Sequence, residues 1–564
     1  MAACLGVVGL AIILTWPFAN FPYGDDAAYT HMALRLARTG VLAYNGWEAV
    51  VQILHTYWGA LAIRLFGFSF VAVRLSTIPF AMGAVTFCFL VLRQVGLTPR
   101  AAAFVTLIMG LSPIFLPVAV SYMTDVPGLF FYFASLYFLF RATSASEEGK
   151  GYGWLALGLC TGFLGGTVRQ VVWFVPFAVL PYMTWVRRKN VLFAAASTGG
   201  WALTMGGAVA VLSWFKRQPY IEAQHSLRHQ FEHAVQRPGW EMTMLARFGL
   251  MLFLLCLPAT LPLALRAGIS TWRGGPSRRI LVGLLALAVL CAVLIHPSLA
   301  SIPWVPSTLN WEGINGSAPL PGRPIVLTKT LRTVIALTVY FLCCVVAGEF
   351  VNLRERVGRV WRALCEPSSS IFALAAMSFV SISYFLMVIV RAAELDVFDR
   401  YLLPLLPWAA ALLVLVCEED DLGRWSLQRA VPYAVTVLAL LAAYAVVSTQ
   451  DLWSLAQARA IAVRRMEAAG VPRAAIDAGF EYNAWTELSI SGHLNNHRVI
   501  NPSDAYRPGF SQTPNVVPVY RLEYEASSGT TQSEFGSVPY FSLLPPFHKK
   551  VSIDRVLIPP ESNP

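Results

Sequence analysis

Apolar residues run along this chain in stretches of about 18 to 22, each closed by a short polar or basic loop, a pattern that repeats up to about residue 449. Runs of that length suit helices that cross a bilayer, and they lack the two-residue alternation of barrel strands. Spans are expected over 3–20, 71–92, 101–120, 126–140, 154–168, 171–186, 191–213, 244–265, 280–303, 330–348, 370–390, 401–417 and 431–449, about thirteen in all. The first run has no basic segment before it and no clean cleavage pattern after it, so it reads as a retained span. The orientation turns on 154–186, where two short spans must turn at Arg169-Gln170; fusing them would invert everything downstream.

Outside the spans the periodicity changes. Ala28, Met32 and Leu36 share one helical face that stops at Gly40, and a second amphipathic piece runs from about Trp47 to Phe66. Both read as juxtamembrane helices lying in the interface. Beyond residue 450 a helix over 452–469 turns at Gly470 and Pro472 into strand-like segments at 475–480 and 551–558. The expected architecture is an α-helical polytopic membrane domain, 1–449, followed by a small α/β domain, 450–564. No internal repeat is evident.

Of the 564 residues, 56% are hydrophobic and 13% charged, which excludes soluble, disordered and disulfide-framework classes. The formal charge of +11 would suggest a nucleic-acid partner in a soluble protein. Here the cations cluster in short loops, at 187–189, 266–279 and 354–362, and act as topology signals, so nucleic acid is excluded as a partner. By that rule those loops are cytoplasmic. Loops 21–70, 214–243 and 304–328 and the C-terminal tail then face outward, and function with them. The nine cysteines show no metal-type pairing, and none lies beyond residue 450.

Candidate chemistry gathers at outer helix ends. Asp25 and Asp26 follow the first span, where a carboxylate can ionise beside a lipid-borne substrate and act as general base. An N-cap for the helix that follows is the competing role, and one carboxylate suffices for each. Asp125 lies in a short outer turn before Pro127, with the same two readings. A phosphate leaving group needs cations at this level. Arg169, Lys216, Arg217, Arg391 and Arg400 are candidates, against simple snorkelling toward headgroups. Glu222, His225, His229 and His233 recur at intervals of three, four and four on one helical face. That stripe could bind a divalent metal or be a solvated amphipathic face.

These residues together resemble the GT-C glycosyltransferase superfamily, in particular the bacterial relatives of protein O-mannosyltransferases and the lipid A aminoarabinose transferase. Gly24-Asp25-Asp26-Ala27-Ala28-Tyr29 is similar to the first acidic motif of that group, and Asp125, in Thr-Asp-x-Pro, resembles the second. Residues 56–78, TYWGALAIRLFGFSFVAVRLSTI, are similar to its aromatic-Trp, Phe-Gly and Arg-Leu run, and Arg400-Tyr401-Leu402-Leu403-Pro404 to its late Arg-Tyr-x-x-Pro element. The resemblance covers the first 180 or so residues well. It implies inverting transfer of a sugar from a polyprenyl-phosphate donor to a glycan, lipid or protein acceptor, with Asp25 as base and with Arg169, Lys216, Arg217, Arg400 and Tyr401 toward the donor phosphate. It also implies a multi-pass protein of a bacterial inner membrane with its site facing the periplasm. One departure stands out. Where the aminoarabinose transferases carry Glu-Lys-Pro, this chain has Val51-Gln52-Ile53-Leu54-His55, which removes a metal ligand and a phosphate-binding lysine and leaves His55 unexplained.

Two other classes compete. A transporter or flippase of lipid-linked sugars suits the span count, but would carry internal repeats and charges at mid-membrane. A polysaccharide polymerase or ligase would rely on outer-loop Arg and His, which keeps loop 214–243 of interest.

Overall fold

The first apolar run folds as helix α1 (Ala2–Leu14) and leaves helical geometry at Trp16, whose φ is 52°. The computed structural model describes residues 1–144, 148–223, 227–273, 280, 282–288, 303–305, 307–310, 312–316, 318–347, 368–392, 397–418, 421–524 and 530–556. Helix α2 (Asp26–Thr39) ends where expected, at Gly40, which takes the left-handed conformation (φ 75°) that a residue without Cβ adopts freely. Helix α3 (Ile53–Phe66) starts later than the expected 47. The reason is tertiary: Gly46 and Glu48 pair through their backbones with Tyr220 and Glu222, and Gln52 must turn through a left-handed conformation (φ 35°) before the helix begins. Helices α4 (Phe70–Leu75) and α5 (Ile78–Gln94) then form one apolar run of 25 residues.

Among the described residues six helices are long and apolar enough to cross a membrane, or seven with one bent pair counted. They are Phe70–Gln94, Asp125–Ser144, Val191–Phe215, Lys329–Ala347, Ser369–Arg391 and Asp421–Ala468. Shorter apolar helices, Ala2–Leu14, Pro99–Gly110, Gln170–Val186 and Leu406–Glu418, stand where other spans were expected. The expected span 280–303 lies largely outside the described residues.

Several expected spans are interrupted, each for a local reason. The run 101–120 breaks after Gly110, ahead of Pro113 and Pro117, and residues 111–124, all buried, carry one short helix, Leu116–Ala119, between turns before delivering Asp125. The run 244–265 breaks at Cys256, ahead of Pro258, into Pro238–Leu255 and Leu257–Arg273, bent by 91°. The last span and the expected tail helix are one helix of 48 residues, Asp421–Ala468, so position 449/450 falls inside it.

Above that helix lies a four-stranded sheet of order β3-β4-β6-β5, where β3 is Ile476–Asp477, β4 Tyr520–Glu523, β5 Thr530–Phe541 and β6 His548–Val556. The pair β1 (Leu309–Asn310) and β2 (Gly313–Ile314) forms a separate ribbon. The expected strand 475–480 is shorter than supposed, because Phe480 opens helix Phe480–Ser491. In the sheet β3 runs parallel to β4 and the remaining pairs are antiparallel, with Leu522 opposite Ile553 and Val538 opposite Val551, all four buried. Leu494 and Asn496, beyond the helix, hydrogen-bond to Asn45 and Gly46, which seats the C-terminal segment on the loop between α2 and α3.

Candidate active site

Four stretches far apart in sequence meet at one end of the helix bundle. They are the approach to α2, the start of Asp125–Ser144, the turn after Glu148–Val168, and a 3-10 turn over Asp399–Leu402. They bring Asp25, Asp125, Arg169 and Arg400 into one alternating chain of charge. Arg400 Nη2 donates to Asp25 Oδ2 at 3.0 Å, and Arg400 Nε lies 3.6 Å from Asp125 Oδ1. Arg169 Nη1 lies 2.9 Å from that same oxygen and donates to Thr124 Oγ1 at 3.1 Å. The guanidinium of Arg169 sits 5.1 Å from the Tyr401 ring centroid, a cation–π contact. Arg400 Nη1 also reaches Ser307 Oγ at 3.4 Å.

Asp399 holds this turn in place. Its buried carboxylate accepts the backbone N–H groups of Thr308, Leu309 and Arg400. Burial alone would lower the pKa of Arg400, but Asp125 and Asp25 hold it above the usual guanidinium range, so it stays charged. Burial pushes the Tyr29 phenol well above its ordinary value, which keeps a neutral hydroxyl facing the cluster.

The two neighbouring aspartates are held differently. Asp25 stands at the N-cap position of α2 without a side-chain cap; its oxygens take Arg400 and, at 3.2 Å, Trp47 Nε1, and its side chain is 20% exposed. Asp26 is 1% exposed and paired at 3.5 Å with Arg74. It turns back to accept the N–H of Tyr23, and Arg74 is fixed by the carbonyls of Ala19 and Phe21, both at 2.9 Å, and by the face of Trp453. Asp26 therefore braces the approach to α2 and has no open side for a substrate, which corrects its expected catalytic part.

Asp125, Arg169, Arg400 and Tyr401 converge as expected, whereas Lys216 and Arg217 do not. Both are exposed at the end of Val191–Phe215, and among the described residues no contact joins them to the cluster. Only part of the metal stripe lies among the described residues. The described helix there is Leu227–Gln236, Glu222 is engaged by Asn496 Nδ2 at 2.7 Å and by Arg498, and His225 lies outside the described residues. His229 packs against His233. Among the described residues no group of three or more His, Cys, Asp or Glu could hold a metal. A cation between Asp25 and Asp125 would have to displace Arg400.

Sequence reasoning missed Trp47, Arg74, Thr124, Ser307 and Asp399. Arg74 and Thr124 had a signal, as the arginine of the Arg-Leu run and the threonine of Thr-Asp-x-Pro. His55 is now accounted for. Its ring stacks on Tyr122 at 4.1 Å, Tyr122 donates to the His55 carbonyl, and burial pushes the imidazole down to about 4, so it is a neutral packing residue.

Residues 52–214 match the model of the dolichyl-phosphate-mannose-protein mannosyltransferase family. Among solved structures, ArnT from Cupriavidus metallidurans in the apo state is similar at 14% identity, over 82% of this chain and 69% of that one, with a TM-score of 0.41. The same protein bound to undecaprenyl phosphate gives 13% identity over 83% and 80%, with a TM-score of 0.35. The oligosaccharyltransferase of Archaeoglobus fulgidus gives 14% over 82% of this chain and 58% of that one, with a TM-score of 0.40. No curated protein matches. The class is thus a multi-pass membrane protein. Its family resemblance, over the matched segment that includes Asp125 and Arg169, is to the dolichyl-phosphate-mannose-protein mannosyltransferases.

Proposed function

We propose that this protein is an integral membrane glycosyltransferase that moves a sugar from a polyprenyl-phosphate donor to an acceptor hydroxyl outside a bacterial inner membrane, with inversion at the anomeric carbon. The observation that carries the reading is the chain of two carboxylates and two guanidiniums, Asp25–Arg400–Asp125–Arg169, at a span end. Asp25, the more exposed carboxylate, takes the acceptor proton as the acceptor oxygen bonds to the anomeric carbon. The bond from that carbon to the phosphate oxygen breaks on the opposite face, and its electron pair leaves with the polyprenyl phosphate. Arg169 and Arg400 meet that charge as it develops, each with a planar fork suited to phosphate oxygens. Asp125 holds the two guanidiniums in register. An apolar groove of about 320 Å3 walled by Trp304, Leu309, Leu327 and Leu331, close in sequence to Ser307, supports a place for the prenyl tail.

The test is release of free polyprenyl phosphate from a panel of radiolabelled polyprenyl-phosphate sugars by purified protein, with Asp25→Asn and Asp125→Asn beside wild type. Release by wild type and not by Asp25→Asn is the expected result. No release from any donor, with sugar-lipid movement across liposomes that survives both substitutions, would replace the enzyme with a transporter.

A further inference from the structure

On the side of α2 turned away from Tyr29, a cavity of about 710 Å3 opens between α2, the upper turns of Asp421–Ala468 and helix Phe480–Ser491. Its volume falls in the range of small-ligand sites. Arg35 and Arg38 project into it from α2, Arg464 from the long helix, and Arg473 from the turn beyond. The one carboxylate on its wall, Glu467, is matched with Arg473 at 2.7 Å. Arg35, Arg38 and Arg464 have no carboxylate partner among the described residues, so three like charges face one cavity. Their field is felt next door: burial, then the charges of Arg35 and Arg38, push His31 down to about 4. Its Nδ1 is buried without a hydrogen-bond partner. Like charges held together in this way favour an anion between them.

The cavity also lies at the membrane boundary. Phe70 opens the span Phe70–Gln94 and lines the cavity, as does Phe68 just before it, 39% exposed and stacked on Trp485 at 5.4 Å. From Phe68 exposed apolar surface continues back along α3 through Phe66 at 75%, Leu65 at 65% and Leu61 at 48%. A cationic pocket at the head of an apolar track is complementary to a molecule with an anionic head and hydrocarbon chains.

We propose that this cavity binds the phosphate headgroup of an anionic membrane lipid, with Arg35, Arg38 and Arg464 around the phosphate and the acyl chains along the exposed face of α3. The site shares no side chain with the Asp25–Arg400–Asp125–Arg169 cluster and stands independently of sugar transfer. Guanidinium forks give a phosphate bidentate contacts that a zwitterionic headgroup, carrying its own ammonium, accepts less well.

The full chain in phosphatidylcholine nanodiscs is titrated with fluorescent phosphatidylglycerol, and separately with fluorescent phosphatidylcholine. Phosphatidylglycerol should bind about tenfold more tightly, and Arg35→Ala with Arg38→Ala should remove about that factor. Arg464→Ala, on a different helix, should weaken binding in the same direction, and Arg35→Lys with Arg38→Lys, which keeps the charge and removes the forks, should restore only part of it. Equal binding of the two lipids, or unchanged binding in alanine variants that melt as wild type does, overturns the proposal. Competition by free glycerol 3-phosphate at concentrations matching the lipid overturns it as well, by making the ligand a soluble anion.

Discussion

Two clusters in this molecule share one chemistry, a carboxylate between two cations, and are finished very differently. Asp451 accepts Lys549 Nζ on one oxygen and Arg323 Nη2 on the other, each at 2.7 Å, and Arg323 also donates to the carbonyls of Ile314 and Gly316 at 2.9 Å. All three charged side chains are 4% exposed or less, and together they tie the long helix to β6 and to the β1–β2 ribbon. At Asp125 the ion pairs are comparable, 2.9 and 3.6 Å, yet neither carboxylate oxygen nor Arg400 Nε completes an aligned hydrogen bond, and Asp25 beside them opens to solvent. A buried charge with every bond made has no capacity left for a ligand. One with bonds still open, next to water, has room for the atoms of a substrate.

The sharpest way to break that contrast is to remove a charge from each cluster. Asp25→Asn should lower release of polyprenyl phosphate by about 10²- to 10⁴-fold while leaving the melting temperature in detergent nearly unchanged, because the helix takes no cap from its side chain. A variant that melts early instead would move Asp25 into the class of Asp451. Asp451→Ala should do the reverse. It strands Arg323 and Lys549 in the interior and should cost roughly 3 to 5 kcal/mol of stability in denaturant unfolding, with turnover per folded molecule retained. An unchanged unfolding midpoint would show that the satisfied cluster holds nothing together.

A milder change sharpens the comparison further. Arg400→Lys keeps the charge and removes the fork that reaches Asp25 and Asp125 at once. The expected result is a fall of about tenfold in kcat with a smaller rise in the donor KM, read from steady-state rates at varied donor, because the fork meets charge that develops as the phosphate leaves. A rise in KM with kcat unchanged would assign Arg400 to holding the bound phosphate rather than to the chemical step.

Asp25, Asp125, Arg169, Arg400 and Tyr401 were legible in sequence because each sits at the end of an apolar run, where a polar residue stands out. The different settings of Asp25 and Asp26 were not. Both are aspartates at the start of the same helix, and what separates them is Arg74, 48 residues further on, with Trp453 far beyond it. Lys216 and Arg217 looked equivalent to Arg169 because charge at a span end says nothing about which neighbour that end meets. The run into Asp421–Ala468 passes from apolar to charged with no Gly or Pro to mark a stop, so composition suggested two helices where the backbone continues as one. The late start of α3 depends on strand-like pairing with residues 220–222, contacts that no local pattern encodes.

That pairing seam carries the smallest expected effect. Glu48 is fully buried there; one oxygen accepts the N–H groups of Asn45 and Trp47, and the other has no hydrogen-bond partner. Burial pushes its carboxyl up to about 8, with the N–H groups of Asn45, Glu48 and Trp47 opposing the rise and Glu222 adding to it. The unfolded chain gives up this proton near the ordinary value of 4.5. Between those limits the folded protein holds the extra proton, so its stability falls as pH rises, by at most about 1.4 kcal/mol per pH unit, and levels off outside the window. Asp26, pushed up to about 7, adds a slope of the same sign below that pH. His31 and His55, each pushed down to about 4, act oppositely: their contribution is lost as pH falls from about 6.5. Glu48→Gln keeps the shape and cannot ionise, so it should flatten the melting curve against pH most clearly between 7 and 8, where Glu48 alone of these groups still titrates. A decline that persists there in the glutamine variant would place its origin away from the seam.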